Sequence, residues 1–140
     1  LSNSYWAKKN VETALGRPVP ANHQIHHLAP DNVVKSHPLY QEGLQRGIDI
    51  YDIDQATNLR VLAQSNEAKV EGLSDKFPTH SGSHPNWDKI VKAEADQYSQ
   101  RLIQRYGSLN KVPEDVLKRT YEAIENTLEI ELKALTGKLN

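Results

Sequence analysis

An α+β fold, mainly helical, is what this chain predicts, and three observations carry the expectation. Two long apolar stripes at helical spacing occupy the second half, two short strand-like segments precede them, and prolines and glycines punctuate the joins. With 140 residues, 37% hydrophobic and 25% charged, the chain fits a single globular domain with a core of ordinary size.

In order along the chain, Asn3 or Ser4 can cap a helix running through Ala14, closed by Gly16 and stopped by Pro18 and Pro20. Residues 22 to 29 place Ile25 and Leu28 around His26 and His27 and read as a short strand ended by Pro30. Pro38 to Arg46 reads as a brief helix with Gly47 behind it. IDIYDID, residues 48 to 54, alternates apolar and acidic residues as a half-buried strand does. A turn at Gln55 to Asn58 leads into a further strand at Leu59 to Ala63, and the polar stretch Gln64 to Ser83 reads as loop.

Beyond that loop the pattern is helical. Trp87, Ile90, Val91, Glu94, Tyr98, Leu102 and Tyr106 form one stripe, ended by Gly107. Val116, Leu117, Tyr121, Ile124, Leu128, Leu132 and Leu135 form the next. Pro113 suits the first turn of that last helix, Glu114 and Asp115 complement its positive end, and Gly137 lies past its close. Both stripes are most simply core. The chain divides into an N-terminal helix and turn over 1–21, a central unit over 22–106 and a C-terminal helix over 107–140.

Composition excludes several chemistries. There is no cysteine, so disulfides, thiolate metal sites and cysteine nucleophiles are ruled out, and a metal must rely on imidazole and oxygen ligands. No apolar run approaches the roughly 20 residues that span a bilayer, so no membrane insertion is expected. A net charge of −1 argues mildly against a nucleic-acid binder, although a cleft can be locally positive on a neutral protein. The absence of methionine, even at position 1, suggests a piece of a longer product.

The candidate chemistry is concentrated in histidines. His26 and His27 are tandem, and neighbours on a strand point to opposite sides, so one can ligate a metal while the other takes a proton. His80 and His84 follow in THSGSHP. Pro85 pushes His84 out of helical dihedrals and favours a helix start after it, making His84 a cap and His80 part of the incoming loop. The free N–H groups of such a start suit a phosphate. These features point to a metal-dependent hydrolase, whereas His23 and His37 read as bystanders.

NHQIHHLAPDNVVKSHPLY, IYDIDQATNLRVL and PTHSGSHPNWD, in that order, resemble the AHH-type nucleases of the HNH/endonuclease VII superfamily, over residues 22 to 95. Ile25 stands where the family's namesake alanine usually does, a packing position. Colicin-type DNases are more distantly similar, and IYDIDQATNLRVL resembles their turn with a two-residue insertion.

The resemblance implies a ββα-metal motif flanked by helices, and a metal-dependent endonuclease acting on DNA with little sequence specificity. It implies His27 as general base, a neutral imidazole being matched to cellular pH, with His26, His80 and His84 as metal ligands. Asn58 would steady the loop and orient the base. Mg²⁺ is the expected ion, and the same ligands admit Zn²⁺, Mn²⁺ or Ni²⁺. Lys35, Arg60 and Lys89, with Lys76 and Lys92, are candidate phosphate contacts, each also readable as a solvated surface cation. Domains of this kind form the C-terminal part of bacterial polymorphic toxins. That implies a larger carrier N-terminal to this segment, delivery from the producing bacterium into a target-cell cytoplasm, and a cognate immunity protein that the C-terminal helices would meet. Two alternatives stay open: an RNase of the same fold, or a non-enzymatic interaction module with a closed structural zinc site.

Overall fold

The computed structural model describes residues 3–47, 54–80, 84–135 and 139. Helix α1 (Ser4–Leu15) starts at Asn3, whose Oδ1 accepts from the Tyr5 and Trp6 amides, and ends at Gly16 with φ of 68°. Strand β1 (His23–His27) is shorter than the expected 22–29 segment. A short helix α2 (Asp31–Val34), unforeseen in the sequence because four residues show no periodicity, follows Pro30. Helix α3 (Pro38–Gln45) has His37 at its start, with Nδ1 accepting from the Leu39 amide. Most of the expected strand at IDIYDID, residues 48–53, lies outside the described residues.

A 3₁₀ turn at Ala56–Asn58 leads into β2 (Leu59–Ala63). The polar stretch that follows carries another such turn at Asn66–Ala68. Helix α4 (Pro85–Tyr106) begins after His84 as Pro85 dictates, and α5 (Glu114–Ala134) completes the fold. Pro113 sits one residue outside α5, as its cap, rather than in its first turn. Gly137 lies outside the described residues.

The two strands pair antiparallel, with His26 opposite Arg60 and His27 opposite Leu59. Directly paired residues share a face, so the hairpin separates two sets of side chains. Ile25, Leu59 and Val61 pack with Ala7 and Val11 of α1 in a small core. Leu62, on the face of His26, joins the large core with Trp87, Val91, Leu117, Ile124 and Leu128 from α4 and α5. The order strand, strand, helix α4 is the ββα arrangement expected, with α1 covering one sheet face and α4 and α5 the other.

Candidate active site

Strand β1 delivers its two terminal histidines to different environments. His26 is 1% exposed and lies against the Trp87 ring at 5.5 Å, on the face that looks toward α4. His80 is buried where the loop before α4 runs past the hairpin, its amide donating to the Ala63 carbonyl at 2.9 Å. His84 stands at the start of α4 with φ of −138° and gives no side-chain cap; its Nδ1 lies 3.1 Å from Asp88 Oδ1 one turn on. One ligand nitrogen from each of His26, His80 and His84 falls within 4.8 Å of the others. The structure therefore brings together the three histidines that the sequence suggested as ligands.

The burial of these rings tests whether a metal fits. Both nitrogens of His26, and Nδ1 of His80, are buried with no hydrogen-bond partner among the described residues. A buried polar atom left unsatisfied costs about 1–3 kcal/mol, and an ion ligated by one lone pair of each ring removes that cost at the nitrogens it meets. Burial, followed by the neighbouring imidazoles of His84, His80 and His27 and by Arg60, holds the pKa of His26 well below the usual histidine range. Burial and then His84 push His80 down to about 4. Both rings are thus neutral at cellular pH, the form that ligates a divalent ion. The donor set fits a divalent ion, and three imidazoles suit Zn²⁺ or Ni²⁺ better than Mg²⁺, which prefers oxygen ligands.

His27 faces the other way, beside α1. Its Nε2 is 2.9 Å from Oδ1 of Asp54, a carboxylate that is almost fully buried. Asp54 is itself held by α1: Oδ2 accepts from the Asn3 amide at 2.6 Å, and its carbonyl accepts from Asn10 Nδ2 at 2.8 Å. A carboxylate at Nε2 favours the tautomer protonated there and leaves the lone pair on Nδ1, the arrangement a general base requires.

Asn58 is fully buried and acts on the backbone just past the tandem histidines. Its Oδ1 accepts from the Ala29 amide at 2.9 Å, its Nδ2 donates to the Ala29 carbonyl at 3.1 Å, and its own carbonyl accepts from Leu28 N–H. The Leu28 carbonyl in turn accepts from Trp87 Nε1 at 3.0 Å, tying the strand exit to α4. Asn58 is a positioning residue that needs both halves of its amide.

Of the suggested phosphate contacts, Lys35 and Lys89 are exposed, as are Lys76 and Lys92. Arg60 is held inside the protein's own network: Nε donates to Glu129 at 2.9 Å and Nη1 to the carbonyls of Thr57 and Leu59. It knits the 3₁₀ turn to α5. His23 bonds Ser74 Oγ at 2.7 Å, and His37 Nε2 meets Asp96 Oδ1 at 2.7 Å, so each ring fastens one segment to another away from the cluster.

Sequence reading missed Asp54, Asp88 and Asn32. Asp88 had a legible signal, since it lies four residues past His84 in a helix that Pro85 starts. Asn32, whose Nδ2 donates to the second oxygen of Asp88 at 2.6 Å, had none, because 56 residues separate the pair. Asp54 was one acid among several in an alternating segment.

The comparisons agree with this geometry. A family model, a nuclease family of the HNH/ENDO VII superfamily with conserved AHH, matches residues 7–127. The chain belongs to this AHH nuclease family. Neither a curated protein nor a solved structure matches it. In this AHH nuclease the matched region includes α1 from Ala7 onward, with the Asn10 contact to Asp54, as well as the ββα unit and most of α5, while Asn3 precedes it.

Two outcomes follow from the histidine cluster. Asp88→Asn is expected to weaken Zn²⁺ or Ni²⁺ binding by about 10–100-fold in calorimetry while the fold persists, because His84 loses the carboxylate that fixes its tautomer. For the metal-free protein, the unfolded chain binds protons at His26 and His80 more readily than the folded one, so stability is full above about pH 6.5. It falls as pH drops toward the His80 value of about 4, which urea unfolding at a series of pH values measures.

Proposed function

We propose that this AHH nuclease is a metal-dependent endonuclease that hydrolyses DNA with little sequence preference. The observation that carries the reading is the adjacency of a carboxylate-oriented imidazole, His27 on Asp54, and a three-histidine cluster on the opposite side of the same strand end. The cluster offers three protein ligands among the described residues, which suits a catalytic ion that keeps positions for water and phosphate better than a closed structural site.

In this reaction His27 Nδ1 takes a proton from water as the water oxygen attacks the phosphorus, and Asp54 stabilises the imidazolium that forms. A bound divalent ion would supply positive charge against the attacked phosphate and the leaving 3′ oxygen. His26, His80 and His84 hold it, Asp88 and Asn32 fix His84, and Asn58 keeps the strand exit in place. Lys35 and Lys89 are proposed backbone contacts, which position a strand without reading its sequence. No residue set among those described provides a base-reading element in a groove.

The family resemblance supports a further proposal, that the domain acts as an antibacterial toxin carried by a larger secreted protein and restrained by an immunity partner. It would act in the cytoplasm of the cell that receives it.

Supercoiled plasmid incubated with the purified domain is expected to be nicked in Mg²⁺, Mn²⁺, Ni²⁺ or Zn²⁺ and left intact in EDTA. His27→Ala should lower the rate by about 10²–10⁴-fold, and Asp54→Asn by a smaller factor, with metal affinity unchanged in both. Degradation of RNA with intact plasmid would transfer the substrate to RNA; a folded, metal-loaded protein inert on both would reject the nuclease mechanism. Inside bacteria, induced expression should arrest growth and damage DNA, whereas His27→Ala should be tolerated; equal growth of the two strains would remove the toxin proposal.

A further inference from the structure

Helix α1 carries a surface that the hydrolytic machinery does not use. Tyr5 and Trp6, 64% and 51% exposed, are the exposed aromatic side chains among the described residues, and their rings meet edge to face at 5.1 Å. Lys9 places its ammonium 5.2 Å from the centre of the Trp6 ring, and Lys8 is exposed beside it. Neither aromatic contributes to the small core beneath α1, which is built from Ala7 and Val11.

The position of this patch gives it meaning. Asn3, Trp6 and Asn10 follow one another at spacings of three and four, so they share one flank of α1. The Asn3 amide bonds the carboxylate of Asp54 that orients His27, and the Asn10 side chain bonds the Asp54 backbone carbonyl. Trp6 therefore stands within one helical turn of the groups that anchor the general base, on the side of the helix that faces them. A ring there flanks the anchors of His27, the residue to which the proposed function brings a polynucleotide strand.

We infer that Trp6, with Tyr5 and Lys9, is a stacking platform for an unpaired base of the DNA strand next to the scissile phosphate. The inference rests on the nuclease reading and narrows its substrate to single-stranded or locally melted DNA. Aromatic rings stack any base through its π-face, which gives affinity without sequence preference. The charge of the whole chain does not itself attract a strand, which leaves the work to local contacts. At a net charge of −1, general attraction to phosphates is weak, so a strand is held by local cations such as Lys8 and Lys9 and by contacts that need no charge. An exposed tryptophan and tyrosine supply such contacts.

The two tryptophans make the test direct, because Trp87 is fully buried and Trp6 is exposed. In EDTA, where no cleavage occurs, a short single-stranded DNA oligonucleotide is expected to quench the exposed tryptophan emission, and a duplex of the same sequence to quench it less and bind more weakly. Trp6→Leu should abolish the quenching and weaken single-strand binding by roughly 5- to 150-fold, the range for one stacked base. Trp6→Phe, which keeps a ring, should recover much of that affinity; unchanged Trp87 emission and helical circular dichroism establish that both variants are folded. Single-strand binding that is the same in Trp6→Leu and wild type would overturn the platform, as would equal quenching by duplex or no binding of the oligonucleotide at all. Metal-dependent plasmid nicking by a wild type that fails this test leaves the nuclease reading standing and removes only the platform. Trp6-dependent binding without any cleavage would do the reverse.

Discussion

Everything at this site depends on the pairing register of one short hairpin. His26 lies opposite Arg60 and His27 opposite Leu59, and because successive side chains alternate, the two imidazoles are sent to opposite faces of the sheet. A slip of one residue would turn each of them to the other face. The register is fixed by burial on both sides: Ile25, Leu59 and Val61 are committed to the α1 core, and Leu62 to the core of α4 and α5. Asn58 adds a lock at the open end by bonding both polar groups of Ala29. The placement of one imidazole in a buried cluster and of the other against a carboxylate thus follows from hydrophobic packing several residues away.

The two faces also impose different electrostatics. On the α4 side, desolvation keeps His26 and His80 neutral, and both nitrogens of His26 and Nδ1 of His80 lack hydrogen-bond partners among the described residues, a poor arrangement for a metal-free core and a better one for an ion. On the α1 side, His27 is partly exposed and bonded to a buried carboxylate. Adjacent residues of the same type are made to differ by about the width of a sheet.

Helix α1 has a larger part in this than an N-terminal appendage would. It covers one face of the hairpin with Ala7 and Val11, fixes Asp54 through Asn3 and Asn10, and presents Trp6 on the same flank. The family match that begins at residue 7 covers most of this helix. Arg60, which as a cation in the motif suggested a phosphate contact, is bound to Glu129 and to carbonyls of its own turn, and so joins α5 to the site.

Residue type and local spacing made much of this legible in advance. Pro85 fixed the start of α4 and the capping position of His84, Asn3 and Gly16 bounded α1, and the tandem His26–His27 implied two environments by alternation alone. These are effects of dihedral preference and period, which act over a few residues. The carboxylate partners were not legible in that way: Asp54 meets His27 across 27 positions and Asn3 across 51, and Asn32 meets Asp88 across 56. Which of several acids accepts which proton depends on chain reversal and packing, and a one-dimensional pattern contains neither. The sequence by itself therefore determined the kinds of element and the chemical set, imidazoles without thiolates, while the tertiary structure alone decided which imidazole is buried and which is oriented, because burial and hydrogen-bond geometry exist only once distant segments are in contact.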